Sequence, residues 1–312
     1  MISRRSVRIK VIQTLYSQIL ADNKDFKSLY KIFNDDIEKV IELNICVLHY
    51  LKEIMNYAKF HHQIQHDKRL ISAADKIVPL QILESDFVKY LNENEELNKY
   101  FGKYKTKNYL DSEMIKAFYF QMIALKEYAA FNESPSSENQ YQLLNVFFKK
   151  IFFKSEDLKT HLEFYYVNIE EDMDLIHFSL KRDLKKQIDS DMPFRISLGF
   201  KEWRKESPFA EDLIKVVLVH FDNFMDLIKP KLVGWDAERI PLLDILIIKM
   251  AMAEMLHFET IPLKVTMNEY IDLTKIFCSQ KSKLFVNGIL DRLMKDFIAE
   301  GKIQKTGRGL DV

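Results

Sequence analysis

Basic residues are concentrated at the start of the chain. Arg4, Arg5, Arg8 and Lys10 occur before the first acidic residue, Asp22. In a helix over this segment, Arg4 and Arg8 lie one turn apart with Arg5 beside them. Positive charge at a helix N-terminus opposes the helix dipole, which suggests that the cluster serves another purpose. The segment therefore predicts either a contact with nucleic-acid phosphates or, more simply, a charged and solvated helix start.

Other reactive side chains give little indication of catalysis. His61, His62 and His66 are the one histidine cluster, and His62 and His66 could share a helix face as metal ligands do. A third ligand is missing, so a polar surface is the simpler interpretation and no metal is expected. Cys46 and Cys278 are interpreted as small hydrophobic residues. Without a phosphate-binding glycine loop or a nucleophile motif, we expect no catalytic residue, no cofactor and no enzyme activity.

The segment from Ile261 to Phe297 predicts two helices joined by a short polar turn. The first covers Val265 to Phe277, and the break covers Cys278 to Lys281. The second has a wide apolar stripe, which indicates one buried face; it consists of Phe285, Val286, Ile289, Leu290, Leu293, Met294 and Phe297. Ser282 is a candidate N-cap. Gly288 interrupts this helix at a cost of about 1 kcal/mol, so we expect another backbone to pack close to it.

Two further segments read as amphipathic or buried helices. Val7, Val11, Leu15 and Ile19 recur every four residues behind the basic cluster. Residues 240–258 are the most apolar run, but four polar residues interrupt it, which favours the central helix of a bundle over a membrane span. The N-terminus has no cleavage site typical of a signal peptide.

Composition predicts an all-α protein. The 312 residues include only 7 Gly and 7 Pro, while 47% are hydrophobic and 29% are charged. Acidic and basic residues balance at 46 each, so any affinity for nucleic acid must come from a local patch. Between residues 21 and 205 we expect helices after Asn34 or Asp35, over 110–131 and 141–152, and from Ser155 onward, with a break at 189–193. A second break is expected just after this segment, at Ser207-Pro208. Asp236 is a candidate cap for the central helix.

Ordered motifs give the chain a resemblance to the NusB family. The series P-x-K-V-x-x-N-E-Y-I-x-L-x-K from Pro262, followed by F-V-N-G-I-L-D from Phe285, resembles the C-terminal signature of that family. The N-terminal S-R-R-S-V-R-I-K-V-I-Q-T-L-Y-S is similar to its arginine-rich first helix. This resemblance implies a NusB-like helical bundle in which residues 1–20 are the first helix, 21–205 are additional helices of unknown role, 206–300 are the C-terminal helical domain and 301–312 are a flexible tail.

The resemblance also implies a function and partners. Members of the family act in transcription antitermination of ribosomal RNA operons. For this chain the resemblance implies that boxA-type single-stranded RNA is bound by seven residues, namely Arg4, Arg5, Arg8, Lys10, Gln13, Lys281 and Phe285. Ser6 departs from the family, because some relatives have an arginine there. Tyr16 and Asp244 would contact the ribosomal protein NusE, and the complex would join RNA polymerase in the cytoplasm, with no membrane partner.

Two alternatives remain at this stage. In the first, the helices of residues 21–205 dominate and the chain is a protein-interaction scaffold without an RNA role. In the second, the chain is related to the NusB-like RNA-binding domain of RNA cytosine methyltransferases but lacks the catalytic part. The absence of a cofactor-binding loop makes the second alternative the weaker one.

Overall fold

The computed structural model describes residues 2–67, 80–188, 193–232 and 239–310. In these ranges the regular secondary structure is helical and contains no strand, so the all-α prediction is confirmed. No helix of this part is long and apolar enough to cross a membrane. The α-helices are α1 (Arg4–Leu20), α2 (Phe26–Asp67), α3 (Asp86–Glu93), α4 (Glu95–Lys103), α5 (Ser112–Ile123), α6 (Lys126–Glu133), α7 (Ser137–Lys150), α8 (Glu156–Glu163), α9 (Ile169–Lys185), α10 (Phe200–Val219), α11 (Phe221–Ile228), α12 (Leu242–His257), α13 (Leu263–Phe277) and α14 (Gln280–Ala299).

Side-chain caps explain where several helices begin. Ser155 accepts a hydrogen bond from the Leu158 backbone at 3.2 Å and caps α8, as predicted. The prediction that Asn34 or Asp35 starts a helix is wrong, because α2 already begins at Phe26. There the Asp25 carboxylate accepts from the Ser28 backbone at 2.8 Å. Asn34 lies inside α2, and its side chain bonds back to a carbonyl one turn earlier.

Two predicted boundaries differ from the structure. The segment 110–131 forms two helices, because the chain becomes extended at Leu125 between α5 and α6. Pro208 lies inside α10 instead of breaking it. The missing proline N–H leaves the Arg204 carbonyl without its helical donor, and the Ser207 hydroxyl donates to that carbonyl at 3.4 Å. The predicted cap Asp236 and most of the break at 189–193 lie outside the described residues.

The chain divides into two compact units. The middle unit comprises Glu38–Lys201, and the terminal unit comprises Ile2–Ile37 and Glu202–Val312. The middle unit has an aromatic core, in which the Phe152 ring lies 5.2 Å from the rings of both Phe118 and Phe153. The predicted division of the chain into domains remains a prediction.

The terminal unit is organised around α12. This helix packs against α1, α11, α13 and α14, and every residue from Asp244 to Met255 is buried. Such a helix is hydrophobic on all sides because neighbours cover all of them. The prediction of a buried central helix is thus confirmed. The predicted helical pair of residues 261–297 is also present, as α13 and α14.

Residues near the end of the chain contact the end of α12. The Lys305 ammonium donates to the carbonyls of Glu254 and Phe258, at 3.3 and 2.9 Å. The Thr306 backbone donates to the Glu259 carbonyl at 3.0 Å. The sequence predicted a flexible tail over 301–312, whereas these contacts attach part of it to the terminal unit.

Candidate nucleic-acid interface

Arg8 is the most buried of the predicted RNA-binding arginines. Its guanidinium donates to Glu254 from Nε at 2.8 Å and from Nη2 at 2.9 Å, and it lies 3.4 Å from Glu269. The rings of Phe209 and Tyr270 lie on it at 5.2 and 5.8 Å. Burial disfavours its charge, but the attraction of Glu254 outweighs this effect and raises the pKa of Arg8. In this conformation Arg8 holds helices together and offers no surface to RNA.

Arg4 and Arg5 lie at the surface. The Arg4 Nε is 3.3 Å from Glu206 of α10, and the Arg5 Nη1 is 3.0 Å from Asp272 of α13. About half of each arginine side chain is exposed, 49% and 46%. Hydrogen bonds from Lys275 and from Arg5 lower the pKa of Asp272. The structure therefore brings two accessible guanidinium groups together at the start of α1, each beside an acid of the same unit.

Lys10 and Gln13 are less accessible than the prediction of direct RNA contact requires. Lys10 is buried, and its charge lies close enough to Asp36 to act on that carboxyl. Burial still raises the pKa of Asp36 overall. Gln13 is half-buried, and its Oε1 atom has no hydrogen-bond partner among the described residues.

Glu254 is the residue that the sequence analysis missed. It is fully buried and accepts hydrogen bonds from Arg8 of α1 and, on α13, from Thr266 at 2.8 Å and Tyr270 at 3.3 Å. Burial and the charge of Glu254 raise the pKa of Tyr270 well above its usual value. A signal was present in the sequence: an acid inside an apolar helix needs a cationic partner. The basic cluster at the N-terminus offered such a partner.

Lys281 and Phe285 lie on α14 beside a shallow groove. The groove has a volume of about 320 Å³ and is lined by Lys281, Leu284, Phe285, Gly288, Ile289 and Arg292. Lys281 is exposed, whereas Phe285 is buried and belongs first to the core. Gly288 has no atom within 4 Å of the position that a Cβ would occupy, so the expected close backbone is absent. The predicted cap is also wrong, because Ser279 caps α14 by accepting from the Ser282 backbone at 3.2 Å.

The two residues predicted to contact a protein partner differ in exposure. Tyr16 is half-buried on α1, whereas Asp244 is buried in the first turn of α12. The Oδ1 atom of Asp244 has no hydrogen-bond partner among the described residues. Burial, together with the hydrogen bond and charge of Asp244, raises the pKa of the Cys278 thiol to about 12. In this conformation Asp244 faces the α13–α14 junction, so a direct contact with a partner requires α12 to open at its start.

Metal binding has no support in the part of the chain that the structure covers. No group of three or more His, Cys, Asp or Glu side chains there could hold an ion. The His61 ring instead lies 3.0 Å from the Tyr119 hydroxyl. The side chain of His66 lies outside the described residues.

Comparisons with known proteins place the C-terminal part of the chain in a family. Residues 178–295 match the NusB family, a range that includes the second half of α9, α10 to α13 and most of α14 but not α1. The transcription antitermination protein NusB of Salinibacter ruber is 35% identical over 102 residues, which are 33% of this chain and 64% of that protein. The chain therefore spans slightly less than two thirds of the length of that relative.

Two Bacillus proteins with the same name are also similar. The Bacillus subtilis protein is 41% identical over 92 residues, 30% of this chain and 70% of that protein. The Bacillus pumilus protein is 39% identical over 93 residues and is covered to 71%. No solved structure matches the chain significantly. On these similarities, and on the helical bundle that contains the matched segment, the chain belongs to the NusB family.

Proposed function

We propose that this protein is an RNA-binding transcription antitermination factor acting on ribosomal RNA operons. It would bind boxA-type RNA together with NusE, as a stoichiometric factor without an enzymatic step, in the cytoplasm. Three relatives carry the name of transcription antitermination proteins, which supports the general role. The observation that carries the proposal is the pair of exposed guanidinium groups of Arg4 and Arg5, which lie in the same compact unit as most of the matched segment.

The ion pairs of Arg4 and Arg5 do not prevent RNA binding. Exposed pairs of this kind contribute roughly 0–1 kcal/mol to stability. A phosphate can therefore replace Glu206 or Asp272 at little cost, and release of condensed counterions adds to the gain. Arg8 and Lys10, which are buried, would act by holding α1 in place. This division refines the predicted contact set to Arg4 and Arg5 at the start of α1.

The groove on α14 provides a second part of the proposed interface. Lys281 would contact a phosphate there, and the edge of Phe285 lines the groove below it. Leu284, which is 73% exposed, gives a base an apolar surface to lie against. Gln13 would contact RNA only after a change of side-chain conformation.

NusE would bind next to this interface. Tyr16 is half-buried and presents part of its ring at the surface of α1, which suits contact with a protein partner. Asp244 would affect this contact through the start of α12. Binding of RNA and NusE by one protein raises the effective concentration of each for the other, and this would tether nascent RNA to the polymerase complex.

Fluorescence anisotropy of a labelled boxA-type RNA tests the proposal. The RNA is titrated with the full chain at several salt concentrations from about 50 to about 200 mM, over which affinity for phosphates falls steeply. Each titration is run with and without NusE. The variant is Arg4→Ala/Arg5→Ala. The control is Lys295→Ala/Lys302→Ala, which removes the same charge from two surface ion pairs of the same unit. We expect the first variant alone to lose affinity and to lower the salt slope by roughly 1.4, from two single-strand phosphate contacts.

A specific observation favours one competing function. Every arginine of the first helix already has an acidic partner in the protein, as a scaffold without an RNA role would have. If wild type fails to bind RNA even with NusE, the scaffold is the better explanation. If both double variants bind equally well, RNA binding persists but its site lies away from α1.

A further inference from the structure

We propose that Lys149, Lys154, His177, Phe178 and Lys181 form a second binding surface for single-stranded RNA, located on the middle unit. We call this surface the His177 patch. The inference rests on the proposed RNA-binding function for the type of ligand. Lys149, Lys154 and His177 precede the segment that matches the NusB family, and Phe178 and Lys181 lie at its start.

Three helical segments bring the patch together. Lys149 lies in the last turn of α7, Lys154 in the 3-10 turn of Phe152–Lys154, and the other three residues in α9. The His177 ring stacks on Phe153, with ring centroids 4.6 Å apart and ring planes at 11°. On α9, His177 and Lys181 are four residues apart and Phe178 and Lys181 three apart, so their side chains are neighbours.

The lysines of the patch have no acidic partner. All three are exposed, and none forms an ion pair within the described residues. All three ammonium groups lie close enough to His177 to act on it electrostatically. Burial lowers the pKa of this histidine, and Lys181, Lys154 and Lys149 lower it further against the opposing effect of Asp174. The patch therefore has a positive local potential, in contrast to the neutralised arginines of the first helix.

Ordinary helix electrostatics explain only part of this arrangement. The dipole of α7 favours a lysine in its last turn, which accounts for Lys149. Lys181 precedes the basic residues in the last turn of α9. In the part of the chain that the structure describes, no ion pair joins it to Asp174, which lies one turn before Phe178. In addition, the Nε2 atom of His177 is buried without a hydrogen-bond partner among the described residues.

Phe178 identifies the class of ligand. The side chain is 71% exposed, so the face of its ring is accessible to a ligand. Single-stranded nucleic acid combines what the patch requires, because its bases stack on aromatic rings while its phosphates contact nearby cations. An acidic polypeptide would use the lysines but would have no use for the ring beside them. Duplex RNA would keep its bases stacked internally and unavailable to Phe178.

The test uses the full chain and a fluorescein-labelled oligouridine of about 30 nucleotides, long enough to exceed the usual site of one binding surface. The variant is Lys149→Ala/Lys154→Ala/Lys181→Ala. The control, Lys99→Ala/Lys107→Ala/Lys126→Ala, removes three other exposed lysines of the middle unit. We expect the patch variant to lower the slope of log affinity against log salt by about 2, the value for three single-strand phosphates, and the control to leave it unchanged.

A second measurement addresses the aromatic ring. Phe178→Leu keeps an apolar side chain but removes the flat surface, and we expect it to weaken oligouridine binding by about tenfold. In the wild type, 5-iodouridine in the RNA should crosslink to the α9 peptide that contains Phe178. Bound phosphate should also raise the pKa of His177, which NMR titration of the imidazole detects.

The outcomes separate this inference from the proposed function. Both sites would be supported if Arg4→Ala/Arg5→Ala loses boxA binding and the patch variant lowers the salt slope of oligouridine binding as expected. Equal salt slopes for the patch variant and its control would overturn the inference and leave the first-helix site standing. Displacement of oligouridine by polyglutamate at equal charge concentration would also overturn it, because the patch would then recognise acidic polypeptides. Failure of the wild type to bind oligouridine would likewise overturn the inference.

Discussion

Arg8 and Glu254 form a buried ion pair in which two guanidinium nitrogens contact both carboxylate oxygens, at 2.8 and 2.9 Å. The side chains are 3% and 0% exposed, and the residues are 246 positions apart in the chain. This pair joins the first helix to the central helix of the terminal unit. It also shows why a basic N-terminal segment can be required for the fold as well as for a ligand.

Substitution Arg8→Ala should lower the free energy of unfolding of the terminal unit by about 3–5 kcal/mol, because it leaves the Glu254 charge buried without its partner. Urea unfolding followed by tryptophan fluorescence measures this change, since Trp203 lies in this unit. The double variant Arg8→Met/Glu254→Gln should recover part of the loss, because the unpaired charge is gone. The surface control Arg4→Ala should stay within about 0.5 kcal/mol of wild type. A loss under 1 kcal/mol for Arg8→Ala would contradict the structural role.

Arg8 illustrates what the periodicity of the sequence predicts and what it does not. Periodicity predicted α1, the buried α12 and the pair α13 and α14, because apolar spacing directly reports which face of a helix is covered. It could not distinguish Arg8 from Arg4 and Arg5, since all three are basic residues within two turns. Their roles depend on where Glu254, Glu206 and Asp272 lie in space, and no local pattern encodes such distant pairings.

Local sequence patterns also failed to predict two helix boundaries and the His177 patch. The break at Leu125 has no proline or glycine to mark it, and α10 continues through Pro208 because Ser207 satisfies the carbonyl that the proline leaves free. The sequence placed no site in the middle unit. The His177 patch depends on the approach of α7 and α9, and its lysines are spread over a segment with many other charges.

Gly288→Ala should raise the free energy of unfolding by about 0.5–1 kcal/mol, because alanine is the better helix former at an exposed position. The structure leaves space for the added methyl group. Thermal unfolding measures the gain. If the groove on α14 binds RNA, the same variant should weaken boxA binding, whereas Ala299→Gly, at the exposed end of α14, should lower stability slightly without affecting binding. A destabilised Gly288→Ala variant would mean that a neighbouring backbone packs there after all.

Lys249 should make stability depend on pH in the alkaline range. The side chain is buried with its ammonium 3.2 Å from the centre of the Phe221 ring, and burial chiefly lowers its pKa to about 8. The unfolded chain, with a pKa near 10.4 for lysine, then binds more protons than the folded chain between these two values. Stability contributed by this group therefore rises with pH across that window.

Urea unfolding of wild type and Lys249→Met at several pH values between about 7.5 and 10 isolates this effect from other titrating groups. The stability of wild type relative to the variant should increase by roughly 2–3 kcal/mol over the window, at about 1.4 kcal/mol per unit of pKa difference. The exposed control Lys215→Met should give a difference from wild type that does not change with pH. A constant difference for Lys249→Met would mean that the buried amine keeps its ordinary pKa.

Ser6→Arg should not improve RNA binding by α1, although the resemblance to the family suggests an arginine at this position in some relatives. Ser6 is 4% exposed and forms a reciprocal cap with Ser3. Its hydroxyl accepts from the Ser3 backbone at 2.7 Å, and its own backbone donates to the Ser3 hydroxyl at 3.3 Å. Loss of the Ser6 hydroxyl removes one of these two hydrogen bonds and costs about 1 kcal/mol, and a larger side chain in a closed site adds to this cost.

Thermal unfolding and the salt dependence of boxA affinity together test this prediction. Ser6→Ala removes the hydroxyl that accepts from the Ser3 backbone without adding bulk or charge, so it separates the loss of this hydrogen bond from crowding. We expect Ser6→Arg to be less stable than Ser6→Ala and to have the same salt slope as wild type. A slope steeper by about 0.7, the value for one added phosphate contact, with unchanged stability would contradict the prediction. The start of α1 would then tolerate a third exposed guanidinium, and the capping pair would be dispensable.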